Sequence, residues 1–253
     1  MPYGYPASGL YSAFHVTENS SPTAERRVFY AFINSAGELV TRTTITTNDT
    51  REGFAGIDVD YVTGNPIAAW HNVVEADNTY DSSMSYDLYH LMSGPGLWKE
   101  SFIAIDNPEN SIEHTGHNDD EFIWPKVKIG PSPIEGKRRV FIYGDNYTNN
   151  SEGNAHYNIL AGYADFDATD MEFQNDLEFT YFSFPEWDNL HYENIARITK
   201  ECAIADDGQV AFIGFYEHTW CMQYSQDYGE TWTYLEGAIQ KSYFNNVLMA
   251  IPQ

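Results

Sequence analysis

The sequence predicts an all-β protein made of repeated four-stranded antiparallel units, and three observations carry that prediction. An apolar strand, polar turn, apolar strand plan recurs at near-constant spacing. Aromatic residues are abundant, with 19 Tyr, 15 Phe and 6 Trp in 253 residues. Residues 225–232 have the make-up of a hairpin loop bonded to itself. Aromatic side chains fit a pleated, half-buried surface, and a chain of this length with 20% charged residues can bury a sizeable core.

The recurring plan occurs three times as a hairpin: 54–60 turning at Thr63-Gly64-Asn65 into 67–71, 124–129 turning through Gly130 to Lys137 into 140–143, and 201–205 turning at Asp206-Asp207-Gly208 into 210–213. Ile67, Val140 and Val210 hold equivalent places, 73 and 70 residues apart. Two more strand-like runs follow each hairpin: 86–91 and 98–103, 159–163 and 177–182, 220–224 and 231–234. Lettering the strands A to D, each unit holds four. The first 50 residues supply B, C and D strands at 10–16, 28–33 and 39–45, and the missing A strand is available at 243–251. The chain is thus expected to be one domain, 1–253, with repeats at about 8–47 plus 243–251, 54–105, 122–184 and 195–240. One unit is shared by the two termini, which hides sheet edges. Self-association or further units would extend it into a larger ring.

In Ser225-Gln-Asp227-Tyr-Gly229-Glu-Thr231-Trp232, Asp227 can accept bonds from backbone N–H groups. Gly229 can take a positive φ, and Trp232 opens the next strand. The octapeptide resembles the Asp-box, or BNR repeat, of sialidase-like β-propellers. The run 120–133 is similar to exported bacterial propeller proteins. The resemblance implies a β-propeller of four-stranded antiparallel blades in which Ser225, Asp227, Gly229, Thr231 and Trp232 are structural.

In an up-and-down blade the A–B and C–D turns share one face, and the B–C and D–A loops share the other. The B–C loops 17–27, 72–85 and 144–158 and the D–A loops 106–122 and 185–194 are long and polar, and binding concentrates in such loops. The ligand-binding candidates beside them are Tyr80, Trp124, Tyr147, His156, Trp187, Asp188, His191, Tyr192 and His218. Aromatic rings next to carboxylates and amides suit a sugar, whose apolar face stacks while its hydroxyls bond. Trp70, Trp98, Trp220 and Trp232 are assigned to the core. His114-Thr-Gly-His117-Asn-Asp119-Asp120-Glu121 reads first as a solvated acidic loop. Ca2+ on Asp119, Asp120 and Glu121 is the alternative, and no cofactor is required. Asp58 and Asp60 alternate onto one sheet face, as ordinary strand-end polar groups or, alternatively, a pair lining the channel.

The resemblance to sialidases would imply three arginines for a substrate carboxylate, a tyrosine with a glutamate partner, and an aspartate. The arginines are Arg26, Arg27, Arg42, Arg51, Arg138, Arg139 and Arg197, and none lies in the Arg-Ile-Pro opening of that family. Sialidase activity is therefore not expected. The leading reading is a non-catalytic module binding glycan or protein through the long-loop face; the alternative is a glycoside hydrolase or polysaccharide lyase, whose carboxylate pair the sequence does not single out.

Thirteen basic against 37 acidic residues give a net charge of −24, which repels nucleic acid and anionic membranes. Cys202 and Cys221 match no disulfide framework or metal spacing and are expected as buried thiols. The sequence shows no run long enough to span a membrane and no signal peptide at its start. An extracellular or cell-surface location is expected.

Overall fold

The computed structural model describes residues 8–17, 26–46, 51–73, 80–92, 94–107, 122–146, 159–167, 177–187, 199–216 and 219–238. Their strands form four antiparallel sheets. Sheet I holds β1 (Gly9–Thr17), β2 (Arg26–Asn34) and β3 (Leu39–Thr44). Sheet II holds β4 (Gly53–Val59), β5 (Pro66–Asn72), β6 (Asp81–Tyr86) and β7 (Phe102–Ile105). Sheet III holds β8 (Phe122–Pro131), β9 (Arg138–Asn146), β10 (Ile159–Phe166) and β11 (Thr180–Ser183), and sheet IV holds β12 (Thr199–Ile204), β13 (Val210–Tyr216), β14 (Thr219–Ser225) and β15 (Thr233–Ala238). In every sheet the strands pair in chain order. The segment 243–251, expected to supply a fourth strand to sheet I, lies outside the described residues.

Three apolar cores lie between consecutive sheets. Val28 and Tyr30 of sheet I meet Ala68 and Trp70 of β5. On the other face of β5, Ile67 and Ala69 join Val127, Val140 and Ile142 of sheet III. On the other face of β9, Phe141 and Tyr143 meet Val210 and Phe212 of β13. Successive residues of a strand point to opposite faces, so β5 and β9 serve two cores each. That is why their sequences are continuously apolar rather than alternating.

Polar ties cross the same seams. Asp58 Oδ2 accepts the Ile129 N–H at 2.9 Å, and Asp60 Oδ1 accepts from Arg138 Nε at 2.9 Å. Asp58 and Asp60 therefore join sheet II to sheet III. Arg139 donates from Nη2 to Asp165 at 2.6 Å and from Nη1 to the Tyr228 carbonyl of sheet IV at 2.8 Å. Lys200 Nζ reaches Asp145 Oδ1 at 3.1 Å.

The structure corrects the strand reading in places. The C strand of sheet II is not 86–91 but Asp81–Tyr86, and 87–92 is a turn. Apolar periodicity misses this strand because it is polar and wholly buried: Ser83 Oγ donates to Asn72 Oδ1 and Ser85 Oγ to the Lys99 carbonyl. The D strands of sheets II and III shift to Phe102–Ile105 and Thr180–Ser183. The C–D connections accordingly span 87–101 and 167–179. Long connections thus occur on both faces, and loop length does not select one.

Candidate functional site

What selects a face is a pair of matched backbone irregularities. The register of β4 on β5 shifts between Gly53 and Gly56, and that of β8 on β9 between Ile123 and Lys126. Each bulge lies at the start of the first strand of its sheet, an edge strand, and carries an aromatic residue at positive φ, Phe54 at 51° and Trp124 at 55°. Bulky side chains rarely adopt this region, and residues held there cost on the order of 1–3 kcal/mol each and cluster at functional sites. The two bulges abut. A Cβ on Gly56 would lie 2.9 Å from Lys126 Cα and 3.0 Å from the Pro125 carbonyl, so only glycine lets the strands approach this closely. The approach brings the Phe54 and Trp124 rings to 6.0 Å between centroids.

Around these rings gather side chains from the same strand ends. Phe54 is 49% exposed. Its ring lies 5.3 Å from His15 and 5.2 Å from His71, and the Arg26 guanidinium sits 5.6 Å from its centroid. Tyr80 stacks obliquely on His71 at 4.9 Å and has the Arg51 guanidinium 5.8 Å away. Arg26 and Arg51 are drawn side by side by a parallel bridge between their backbones. Gly53 leaves room for the Arg26 guanidinium, which a Cβ there would meet at 3.3 Å. All these groups lie where B–C and D–A connections begin or end.

The electrostatics are unusual for an acidic chain. Among the described residues neither Arg26 nor Arg51 pairs with a carboxylate, and Arg26 Nε is buried without a hydrogen-bond partner. Burial, and then the neighbouring Arg51, lower the Arg26 pKa from its ordinary value. His71 is 3% exposed, and neither ring nitrogen has a hydrogen-bond partner among the described residues. Burial first, then Arg26, Arg51 and His15, pull its pKa down to about 3, so the imidazole is neutral. Glu52 turns away from the cleft: the Thr46 hydroxyl donates to its carboxylate, and burial raises its pKa to about 7.

Two of the sequence candidates, Tyr80 and Trp124, come together here. Trp187 does not: it is 0% exposed, packed on Phe184 in the core between sheets III and IV, and therefore presents no ring to a ligand. Tyr147, His156, Asp188, His191, Tyr192 and His218 lie outside the described residues, as do Asp119, Asp120 and Glu121. Among the described residues no group of three or more His, Cys, Asp or Glu could hold a metal ion, and no helix is long and apolar enough to cross a membrane. Sequence reasoning missed Phe54, His71, Arg26 and Arg51. A bulky residue between two glycines, Gly53 and Gly56, was the available signal for the first; nothing in sequence spacing places residue 26 beside residue 51.

On the opposite face, Asp227 accepts from the Thr231 N–H at 2.9 Å and the Thr231 hydroxyl at 2.6 Å, and Ser225 Oγ accepts from the Gly229 N–H at 2.8 Å. Gly229 sits at φ 88°. The C–D loop Ser225–Trp232 is thus closed on itself at the far end of the molecule from the arginines. Arg138 and Arg139 are buried at that end too, on Asp60 and Asp165.

This arrangement of antiparallel sheets is similar in fold to solved sialidases. A Hadza microbial sialidase superposes with a TM-score of 0.52 at 14% identity, covering 93% of this chain and 45% of that one. The NanB sialidase of Streptococcus pneumoniae superposes with a TM-score of 0.51 at 10% identity, covering 95% and 52% respectively. The chain therefore spans about half the length of these structures, and at such identities the likeness is one of fold. No protein-family model and no curated protein matches the sequence.

Proposed function

We propose that the protein is a non-catalytic, extracellular glycan-binding propeller whose site is the cleft of Phe54, Tyr80 and Trp124, and that it selects glycans bearing an anionic group. The observation that carries this reading is the juxtaposition of Arg26 and Arg51, without carboxylate partners among the described residues, beside the exposed Phe54 ring and the half-buried Tyr80 ring in a chain of net charge −24. Two adjacent guanidinium groups repel each other unless an anion joins them, and charge-assisted bonds from arginine to carboxylate or sulfate are strong and directional. The sugar ring stacks on the aromatic faces while its acidic substituent meets the arginines. The cleft's cationic character also disfavours a basic protein partner.

The alternative is a glycoside hydrolase or lyase, a reading supported by the activities named for the superposable structures. An array of neutral, uronate-bearing, sialylated and sulfated glycans, read together with a product-release assay, tests both. Binding confined to acidic glycans, lowered about ten- to a hundredfold in Arg26→Ala or Arg51→Ala with the melting temperature unchanged, is expected. Turnover of any bound glycan would replace the module by the enzyme, and equal binding of neutral glycans would remove the arginines from the site.

A further inference from the structure

We infer that anion binding in this cleft is coupled to proton uptake by His71: a ligand anion seated on Arg26 and Arg51 draws one proton from solvent onto the buried imidazole. The inference rests on the anionic-ligand reading above and adds to it the group that makes binding pH-dependent.

His71 lies beneath the aromatic platform, between Phe54 and Tyr80. A neutral imidazole carries one donor and one acceptor nitrogen, and neither has a hydrogen-bond partner among the described residues. The groups facing it are His15 from β1, Arg26 from β2, Arg51 from the lead-in to β4, Phe54 from β4 and Tyr80 just before β6. Of these, Arg26, Arg51 and His15 oppose its protonation, after burial itself. Asp81 is engaged by the Asn107 N–H at 2.9 Å, and Glu52 is turned toward Thr46.

An anion leaves the burial in place but acts on the charges and on the missing hydrogen bond. It compensates the guanidinium charges that oppose an imidazolium, and it offers an acceptor to a ring N–H that lacks one. Both effects stabilise the protonated form. No bond is made or broken except N–H on the ring, and the proton comes from water or buffer. The sign follows by linkage: the His71 pKa is higher in the complex than in the free protein, so affinity falls as pH rises between the two values, by at most tenfold per pH unit for a single proton.

The test uses inorganic sulfate, which stays a dianion between about pH 5 and 8, so any proton taken up belongs to the protein. Calorimetric titration at several pH values, in buffers of different ionisation enthalpy, is expected to show weakening affinity with rising pH and uptake approaching one proton. The nitrogen-15 signals of the His71 ring should titrate at higher pH with sulfate than without. His71→Gln should bind sulfate with a flat pH profile, while His15→Gln keeps the slope; if His71→Gln does not fold, the ring titration of the unmodified protein decides. Sulfate binding that depends on Arg26 but shows no slope and no uptake overturns the role of His71 and leaves the anion site standing. A slope abolished by His15→Gln overturns the assignment to His71, and absence of sulfate binding at every pH overturns both inferences.

Discussion

Replacing Gly56 with Ala probes the contact on which the aromatic platform depends. The added Cβ would lie 2.9 Å from Lys126 Cα and 3.0 Å from the Pro125 carbonyl. Both obstacles are backbone, and no flexible side chain can swing aside to relieve them. Overpacking of this kind costs about 1–3 kcal/mol. Against it stands the loss of chain entropy in the unfolded state when alanine replaces glycine, which favours the variant by about 0.4–1 kcal/mol. The steric cost is the larger, leaving a net loss of about 1.5 kcal/mol. For a chain of this size that corresponds to a melting temperature roughly 3–6 °C lower. Thermal and urea unfolding should show the loss. Glycan or sulfate affinity should fall as well, because relief of the clash must separate the Phe54 and Trp124 rings. Gly136→Ala serves as the control, since a Cβ there meets nothing within 4 Å and only the φ of +81° is strained; it should destabilise without touching affinity. A Gly56→Ala protein as stable as the parent, or one with intact binding, would refute the idea that the abutting bulges set the platform.

Three further outcomes are expected. Asp227→Ala removes the acceptor of three bonds in the Ser225–Trp232 loop and should cost on the order of 1–3 kcal/mol in urea unfolding, with ligand affinity unchanged because the loop lies on the opposite face. Glu52 has a folded-state pKa raised to about 7 by burial, so the protein should lose stability as pH climbs from about 4.5 toward 7. Glu52→Gln should therefore gain stability at pH 8, by up to roughly 3 kcal/mol, and show no gain near pH 4, as followed by melting temperature across that range. Cys202 and Cys221 are free and buried, with burial raising both pKa values, that of Cys221 to about 11; they should resist thiol reagents in the folded protein and titrate as two thiols in denaturant.

The strand order of sheets II to IV was legible because hairpin turns such as Asp206-Asp207-Gly208 punctuate apolar runs, and because Asp227, Gly229 and Trp232 keep a fixed spacing. The strand Asp81–Tyr86 was not, since Ser82, Ser83 and Ser85 look like loop residues until their partners Phe122, Asn72 and Lys99 are seen. Tyr80 and Trp124 were singled out by their position beside long loops, and both lie at the cleft of Phe54 and His71. The same argument misled for Trp187, where a turn of chain after β11 folds the indole inward instead of presenting it. Arg26 and Arg51 escaped notice for a different reason. Their meeting is a property of two sheets docking, a tertiary fact that no local pattern encodes.

Sheets II and III each surrender both broad surfaces to their neighbours, so the molecule cannot be divided at its middle. Severing the chain between β7 and β8 would strip Ile67, Met84 and Tyr86 on one fragment and Val127, Val140 and Ile142 on the other. Each half would then expose a sticky slab rather than stand as a miniature of the whole. Trimming by engineers, or shuffling of pieces during evolution, would disturb least at sheets I and IV, each of which shares one apolar seam among the described residues.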